Sequence, residues 1–196
     1  MVNRKNLMKE IMSWVLSILI AFFISILLNS KVVAKVRVKQ SSMENTLKAN
    51  QQLIIDKLSY NFTSPKRGDI IIFLENQHKR SIIDDAMIFI KDLGNKGDNN
   101  SRLVKRVIGV PGDKIDIKDG HVYVNGEKIL ENYVKGETFS QDLKFPIKVE
   151  NDKLFVLGDN RPVSLDSRAF GPIDYDQVEG KAVFRVYPFD KLGNIK

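Results

Sequence analysis

Three short segments hold the residues that could do chemistry. The first is Ser41-Ser42-Met43-Glu44-Asn45-Thr46-Leu47, the second Leu103-Val104-Lys105-Arg106-Val107-Ile108 running into Pro111-Gly112-Asp113, and the third the polar stretch from Gly158-Asp159-Asn160-Arg161 to Ser164, Asp166, Ser167 and Arg168. The chain has no cysteine, which removes thiol nucleophiles, disulfides, cysteine-ligated zinc and iron–sulfur clusters. Its 2 histidines, His78 and His121, are too few for a histidine-rich metal site, and both lie in polar surroundings that read as surface. Serine, lysine and carboxylate chemistry is what remains. A serine at a strand end is ordinarily a turn or capping residue, and becomes a nucleophile only if a base stands beside it. Lys105 and Arg106 are neighbours in a β-branched run, so alternation sends them to opposite faces; if one is solvated, the other points inward. An inward lysine among Val104, Val107 and Ile108 has its pKa lowered by desolvation. The dense Gly/Asp/Asn/Arg/Ser loop reads either as a solvated connection or as a polar network bracing a site.

The elements that must position these residues begin with an uncharged run of 18 residues, 11–28. As a helix it is about 27 Å long, close to the thickness of a bilayer core. A membrane span over 11–29 is expected, in preference to a buried core helix or a cleavable signal peptide ending near Val32-Val33-Ala34. Arg4, Lys5 and Lys9 precede the run and Lys31, Lys35, Arg37 and Lys39 follow it, so the positive charges barely favour either orientation. A short tail (1–10) before the span and a long domain (30–196) after it fit a signal anchor with a cytoplasmic N-terminus. Ser13, Ser17, Ala21 and Ser25 align small side chains on one helical face. After the span the chain reads as mainly β. Strands are expected at 32–38, 52–56, 69–73, 103–110, 154–157 and 182–186, and a meander at 114–118, 121–124 and 127–130 turns at Asp119-Gly120 and Asn125-Gly126. A single helical turn is expected at 174–178, and 81–100 reads as an exposed excursion. The formal charge of +7 allows an anionic membrane surface or nucleic acid as partner, but the basic residues are dispersed and no nucleic-acid motif occurs.

Taken together, the three segments resemble the type I signal peptidases, membrane-bound serine proteases that remove signal peptides from exported proteins. The resemblance covers nearly the whole chain, includes Lys66-Arg67-Gly68-Asp69, and is nearer to the Gram-positive enzymes. It implies a folded-sheet, β-barrel-like catalytic domain with a small β-hairpin insertion at about 113–152. It implies Ser42 as nucleophile, Lys105 as general base, and Ser164 as the serine that orients the lysine. Asp159, Asp166 and Arg168 would form a salt-bridged supporting network, and Met43 would line the substrate cleft. Cleavage is expected after small residues at −1 and −3, with no cofactor or metal and with a monomer in the lipid bilayer. Two positions depart from the family. Asn45 stands where proline is usual, and Gln40 stands where a serine or glycine serves the oxyanion hole. Such a dyad is physically demanding: at its ordinary pKa of ~10.4 a lysine is neutral in about one molecule in 2,500 at pH 7, a cost of roughly 4–5 kcal/mol. A non-catalytic tethered homologue assisting export or pilus assembly is the alternative; a self-cleaving repressor peptidase would begin with a DNA-binding domain rather than an apolar run.

Overall fold

The computed structural model describes residues 4–75 and 102–195. His78 and the excursion expected at 81–100 lie outside them. The described residues fall into two compact units, one carrying helix α1 and the other everything from Ala34 onward.

Helix α1 (Arg4–Lys31) is continuous and has no acidic residue in its first turn. Its window Met8–Ser25 has a mean hydropathy of 1.7, and none of it is buried by protein. An exposed apolar surface on all sides, Trp14, Phe22 and Phe23 included, is stable in water only if something apolar covers it. By length and composition the helix is able to cross a membrane. Within the serine stripe, the Ser17 hydroxyl donates back to the Ser13 carbonyl at 2.9 Å, which satisfies it inside the helix.

The second unit is built from two sheets. The larger runs β1 (Val33–Arg37), β2 (Gln52–Asp56), then the long β11 (Val178–Tyr187), β3 (Ile70–Leu74), β4 (Arg102–Gly109), β9 (Lys153–Leu157) and β10 (Ile173–Asp174), with β12 (Gly193–Asn194) also on β11. The pairings of β2, β3 and β12 with β11, of β3 and β9 with β4, and of β10 with β9 are antiparallel. Strand β3 explains how this sheet holds together. Its five residues are all buried, which requires cover on both faces. Ile70 and Ile72 pack with Val36, Val38, Met43, Leu47, Leu53 and Ile55. Ile71 and Phe73 pack with Leu103, Val107, Leu154 and Val156. The two-residue alternation therefore divides one strand between two cores. Register shifts in β11 opposite both β2 and β3, and in β4 opposite β9, curl the sheet. At Gly180 there is room for no side chain, because a Cβ would stand 2.5 Å from the carbonyl oxygen of Asp56.

The smaller sheet has four strands in the order β7 (Glu127–Lys128), β6 (His121–Val124), β5 (Lys114–Lys118) and β8 (Ile147–Lys148). Its turns are those expected: Asp119 and Gly120 have φ of 51° and 75°, Asn125 and Gly126 φ of 56° and 90°. His121 is exposed at the β5–β6 turn. Ile115, Val122 and Val124 pack on Phe155 and Leu157 of β9, so the small sheet shares a core with the large one. The strand expected over 127–130 stops at Lys128, and β8, β10, β12 and the single turn α2 (Ser167–Phe170) were not expected. The turn expected at 174–178 is a 3-10 turn, Tyr175–Gln177, closed by the Asp174–Gln177 capping box.

Phe155 is fully buried where the two sheets meet, with Phe145 edge-on to it. Phe155→Ala removes that shared core and is expected to cost about 3–5 kcal/mol, read as a lower urea midpoint of the full chain in detergent.

Candidate active site

The end of β1 delivers the first functional residue. After Arg37 the chain leaves the sheet through Val38, whose N–H donates to Gln51, and enters a turn over residues 41–46. Three bonds hold that turn: Glu44 N–H to Ser41 O, Thr46 N–H to Met43 O and Leu47 N–H to Met43 O at 2.7 Å. Met43 and Leu47 are buried in the core beneath it. The turn is thereby fastened from below, and Ser42, at 6% exposure, faces β4. There the Lys105 Nζ donates to Ser42 Oγ at 2.7 Å, a bond between residues 63 apart in the chain. Lys105 is 1% exposed. Burial pushes its pKa down to about 8, against the opposing pull of Asp166. The desolvation is the larger effect, so the neutral amine is within reach at physiological pH.

The adjacent Arg106 is also buried, at 3% exposure, so neither cation of the pair is solvated as the alternation had suggested. It is held by Asp159, with Nε and Nη2 on the two carboxylate oxygens at 3.0 and 2.8 Å. Its Nη1 donates to Gly68 O, and its guanidinium lies 3.8 Å above the Tyr133 ring. Thr46 Oγ1 adds a bond to Asp159 Oδ2, which ties the far end of the Ser42 turn to this pair. A second forked pair joins Arg168 to Asp166, at 2.8 and 2.9 Å. Arg168 also donates to the carbonyls of Arg161 and Ser164, while Asp166 accepts from Gly158 N–H at 3.1 Å. A third buried arginine, Arg161, binds Glu131, Thr138 Oγ1 and Gly158 O. Each buried guanidinium thus meets a carboxylate in fork geometry, the arrangement that a buried charge needs.

The 158–161 loop is pressed against the Ser42 turn. Asn160 N–H donates to Ser42 O at 2.9 Å and Asn160 Nδ2 to Ser41 O at 3.2 Å. A Cβ on Gly158 would lie 2.2 Å from Ser164 Oγ and 2.5 Å from Ser42 O, so only glycine lets the three approach. Beside Ser42 opens a cavity of about 200 Å³, its wall part apolar (Val36, Val38, Met43, Val104) and part polar or cationic (Arg37, Lys39, Gln40, Arg102).

Residues 11–187 match the family described as "Signal peptidase, peptidase S26". The chain belongs to that family. The chain is 34% identical over 200 residues to "Signal peptidase IB" of Staphylococcus aureus (strain COL), a match that spans 94% of this chain and 93% of the relative. A crystal structure of a signal peptidase I from Enterococcus faecalis V583 is 28% identical, covers 61% of this chain and 97% of its own, and superposes with a TM-score of 0.40.

Of the residues that the signal peptidase resemblance singles out, Ser42 and Lys105 are in contact, and Met43 lies in both the core and the cavity wall. Asp166 and Arg168 pair with each other, whereas Asp159 pairs with Arg106. Ser164 is buried, but among the described residues its hydroxyl has no hydrogen-bond partner, so the bond to the Lys105 amine expected of it is not made; that amine donates to Ser42. Arg106, Arg161, Glu131, Tyr133 and Thr46 belong to the same network and carried no distinguishing signal in the sequence. The side-by-side Lys105-Arg106 could have raised Arg106, had both faces of β4 been known to be covered. Among the described residues no cluster of His, Asp and Glu could hold a metal ion.

The depressed pKa of Lys105 is a stability statement. Below about pH 8 the folded chain holds a buried ammonium that the unfolded chain would solvate; the unfolded state binds more protons between about 8 and 10.5, so this penalty fades as pH rises through that window. The penalty amounts to roughly 3 kcal/mol at pH 7. Lys105→Met, similar in length and uncharged, is therefore expected to raise stability at pH 7 by about 1–3 kcal/mol and to gain less at pH 10. Urea titrations at the two pH values check it.

Proposed function

We propose that the chain is a membrane-anchored serine endopeptidase of the signal peptidase I type, cutting signal peptides from exported preproteins with a Ser42–Lys105 dyad. The observation that carries this reading is the 2.7 Å contact between two buried side chains, Lys105 Nζ and Ser42 Oγ. The neutral amine takes the Ser42 proton as Oγ attacks the scissile carbonyl. The resulting ammonium protonates the departing amine, and the amine then activates water to release the acyl group. The Ser42 backbone N–H is the first donor to the oxyanion. Gln40, exposed at the cavity wall, offers its side-chain amide as the second donor. Ser164 Oγ is the acceptor to which the lysine amine turns once Ser42 is acylated; it is buried, unsatisfied and packed against Gly158 next to Ser42 O. Asp159 and Asp166, paired with Arg106 and Arg168, hold the loop that carries it.

The substrate enters as an extended strand. Among the described residues, strand β1 has one neighbour, β2, and the 102–105 part of β4 pairs with β3 alone, since β9 begins to pair at Arg106. Two open edges beside Ser42 support recognition by strand addition. The small cavity of about 200 Å³, with Val36, Val38, Met43 and Val104 on its wall, suits small side chains such as alanine at −1 and −3. Orientation follows the signal-anchor logic, with residues 1–10 cytoplasmic and the domain from residue 30 outside. The domain works as a monomer. No observation favours a non-catalytic tether, which has no need of a buried lysine on a serine.

Ser42→Ala and Lys105→Ala are each expected to abolish cleavage of an Ala-x-Ala signal peptide by the full chain in detergent, with the fold retained by circular dichroism; cleavage by either variant sinks the dyad. Because the base works neutral, kcat/KM should rise about tenfold per pH unit below about pH 8 and level off above it. A flat profile from pH 6 to 9 contradicts Lys105 as base. Gly158→Ala, by displacing Ser42 O or Ser164, is expected to lower kcat about 100-fold, measured on the same peptide.

A further inference from the structure

The turn that carries Ser42 is fastened from below by Met43 and Leu47, and it also has an outer side. There the structure shows a second fastening. Asn45 has φ of +86°, a left-handed backbone that bends the chain at the third residue after Ser42. Proline, with φ fixed near −65°, cannot follow that course, whereas asparagine tolerates it better than most residues. The Asn45 Nδ2 reaches the Tyr133 carbonyl at 3.4 Å. Beside it, Glu44 Oε2 accepts from Lys135 Nζ at 2.9 Å and from Asn160 Nδ2 at 3.4 Å. The receiving segment is itself fixed. Lys135 N–H donates to Asp159 O and Arg161 N–H to Lys135 O, so residues 133–135 run alongside the 159–161 loop. The Tyr133 ring lies against Arg106, and its hydroxyl donates to Glu131. Three pieces of chain distant in sequence thus close around the outer side of the Ser42 turn.

We propose that Glu44, Asn45 and Lys135 are positioning residues for Ser42. The ion pair and the Asn45 amide clasp the turn to the 133–135 segment and so hold Oγ on the Lys105 amine. The inference rests on Ser42 being the nucleophile. None of the three touches the dyad, so they act through the path of the backbone. The Glu44 and Lys135 side chains are 36% and 52% exposed, which makes the pair weak singly and sensitive to salt. Asn45 is the stronger element, because its conformation sets the direction in which the turn leaves Ser42.

The test uses the full chain in detergent micelles and a synthetic Ala-x-Ala peptide. Glu44→Lys and Lys135→Glu each place like charges in the clasp, and each is expected to lower kcat about fivefold, with KM within about twofold and the thermal midpoint unchanged. The exchanged pair E44K/K135E should return kcat to within about twofold of the parent. In about 0.5 M NaCl the deficit of the single variants should shrink. Asn45→Gly keeps the backbone and should stay within about threefold, while Asn45→Val, β-branched at a left-handed position and without the amide, should lose about tenfold in kcat. Single variants with unchanged kcat, an exchanged pair no better than either single, or an Asn45→Val variant as active as the parent each overturn the proposal. So does a loss that tracks the thermal midpoint, which marks a merely structural role. Ser42→Ala separates the two levels. If it cleaves, the dyad is wrong; if it is inert and the charge reversals are silent, only the clasp is wrong.

Discussion

A primary amine kept out of water is the constraint on which the rest of this structure depends. Lys105 can serve as a base only if its ammonium form is made costly, and a cost of that kind has to be met by the fold. The surroundings of β4 show how. Strand β3 is apolar on both faces, so the register that sets Ile71 opposite Lys105 brings the lysine into a fully covered part of the sheet. The amine is then left with Ser42 Oγ as its hydrogen-bond partner. A hydroxyl serves this purpose where a carboxylate does not: it satisfies the buried donor without adding the negative charge that would favour the ammonium.

The polar network around the dyad follows from the same constraint. A loop that must come within van der Waals contact of Ser42 needs strong bonds to hold it, and the strongest available are charge-assisted. A lone carboxylate near Lys105 would raise its pKa and disarm it. Asp166 does pull in that direction, and Arg168, its partner at 2.8 Å, pushes back. Pairing Asp159 with Arg106 and Glu131 with Arg161 repeats the device. Fork-bonded pairs give rigidity with little net field, which a base of depressed pKa can tolerate. They contribute little to stability when intact, yet loss of one partner would strand a buried charge at a cost of about 3–5 kcal/mol. The network is therefore exacting about both members of every pair.

Much of this was legible in the chain, for identifiable reasons. The apolar helix, the β3 run and the two type I′-compatible turns depend on local periodicity or on single glycine and asparagine positions, and these read directly. Ser42 and Lys105 were singled out by the resemblance to the signal peptidases, since taken alone they read as a turn serine and one of two neighbouring strand cations. The partnership of Arg106 with Asp159, 53 residues apart, has no local signature. The expectation for Asp159 therefore named no partner, and the structure pairs it with Arg106. The segment around Tyr133 and Lys135 was passed over as the middle of a small insertion, since its role depends on lying beside the 159–161 loop. At Asn45, where proline is usual in the family, the turn takes a left-handed course and is tied to Tyr133, which no local signal in the sequence announces.

The open edges of β1 and β4 complete the argument about water. A site that depends on a dry amine cannot also present a wide mouth to solvent, and Ser42 keeps only 6% exposure, beside a cavity of about 200 Å³. On the proposed reading, an extended substrate that pairs with those edges would cover the remaining approach to the dyad with its own backbone, so binding would deepen the desolvation on which the base depends. A short peptide that leaves part of the slot unpaired would cover less of it. On the proposed reading, the same strand that positions the scissile carbonyl would help to keep Lys105 neutral, and recognition and base strength would be two consequences of one set of main-chain hydrogen bonds.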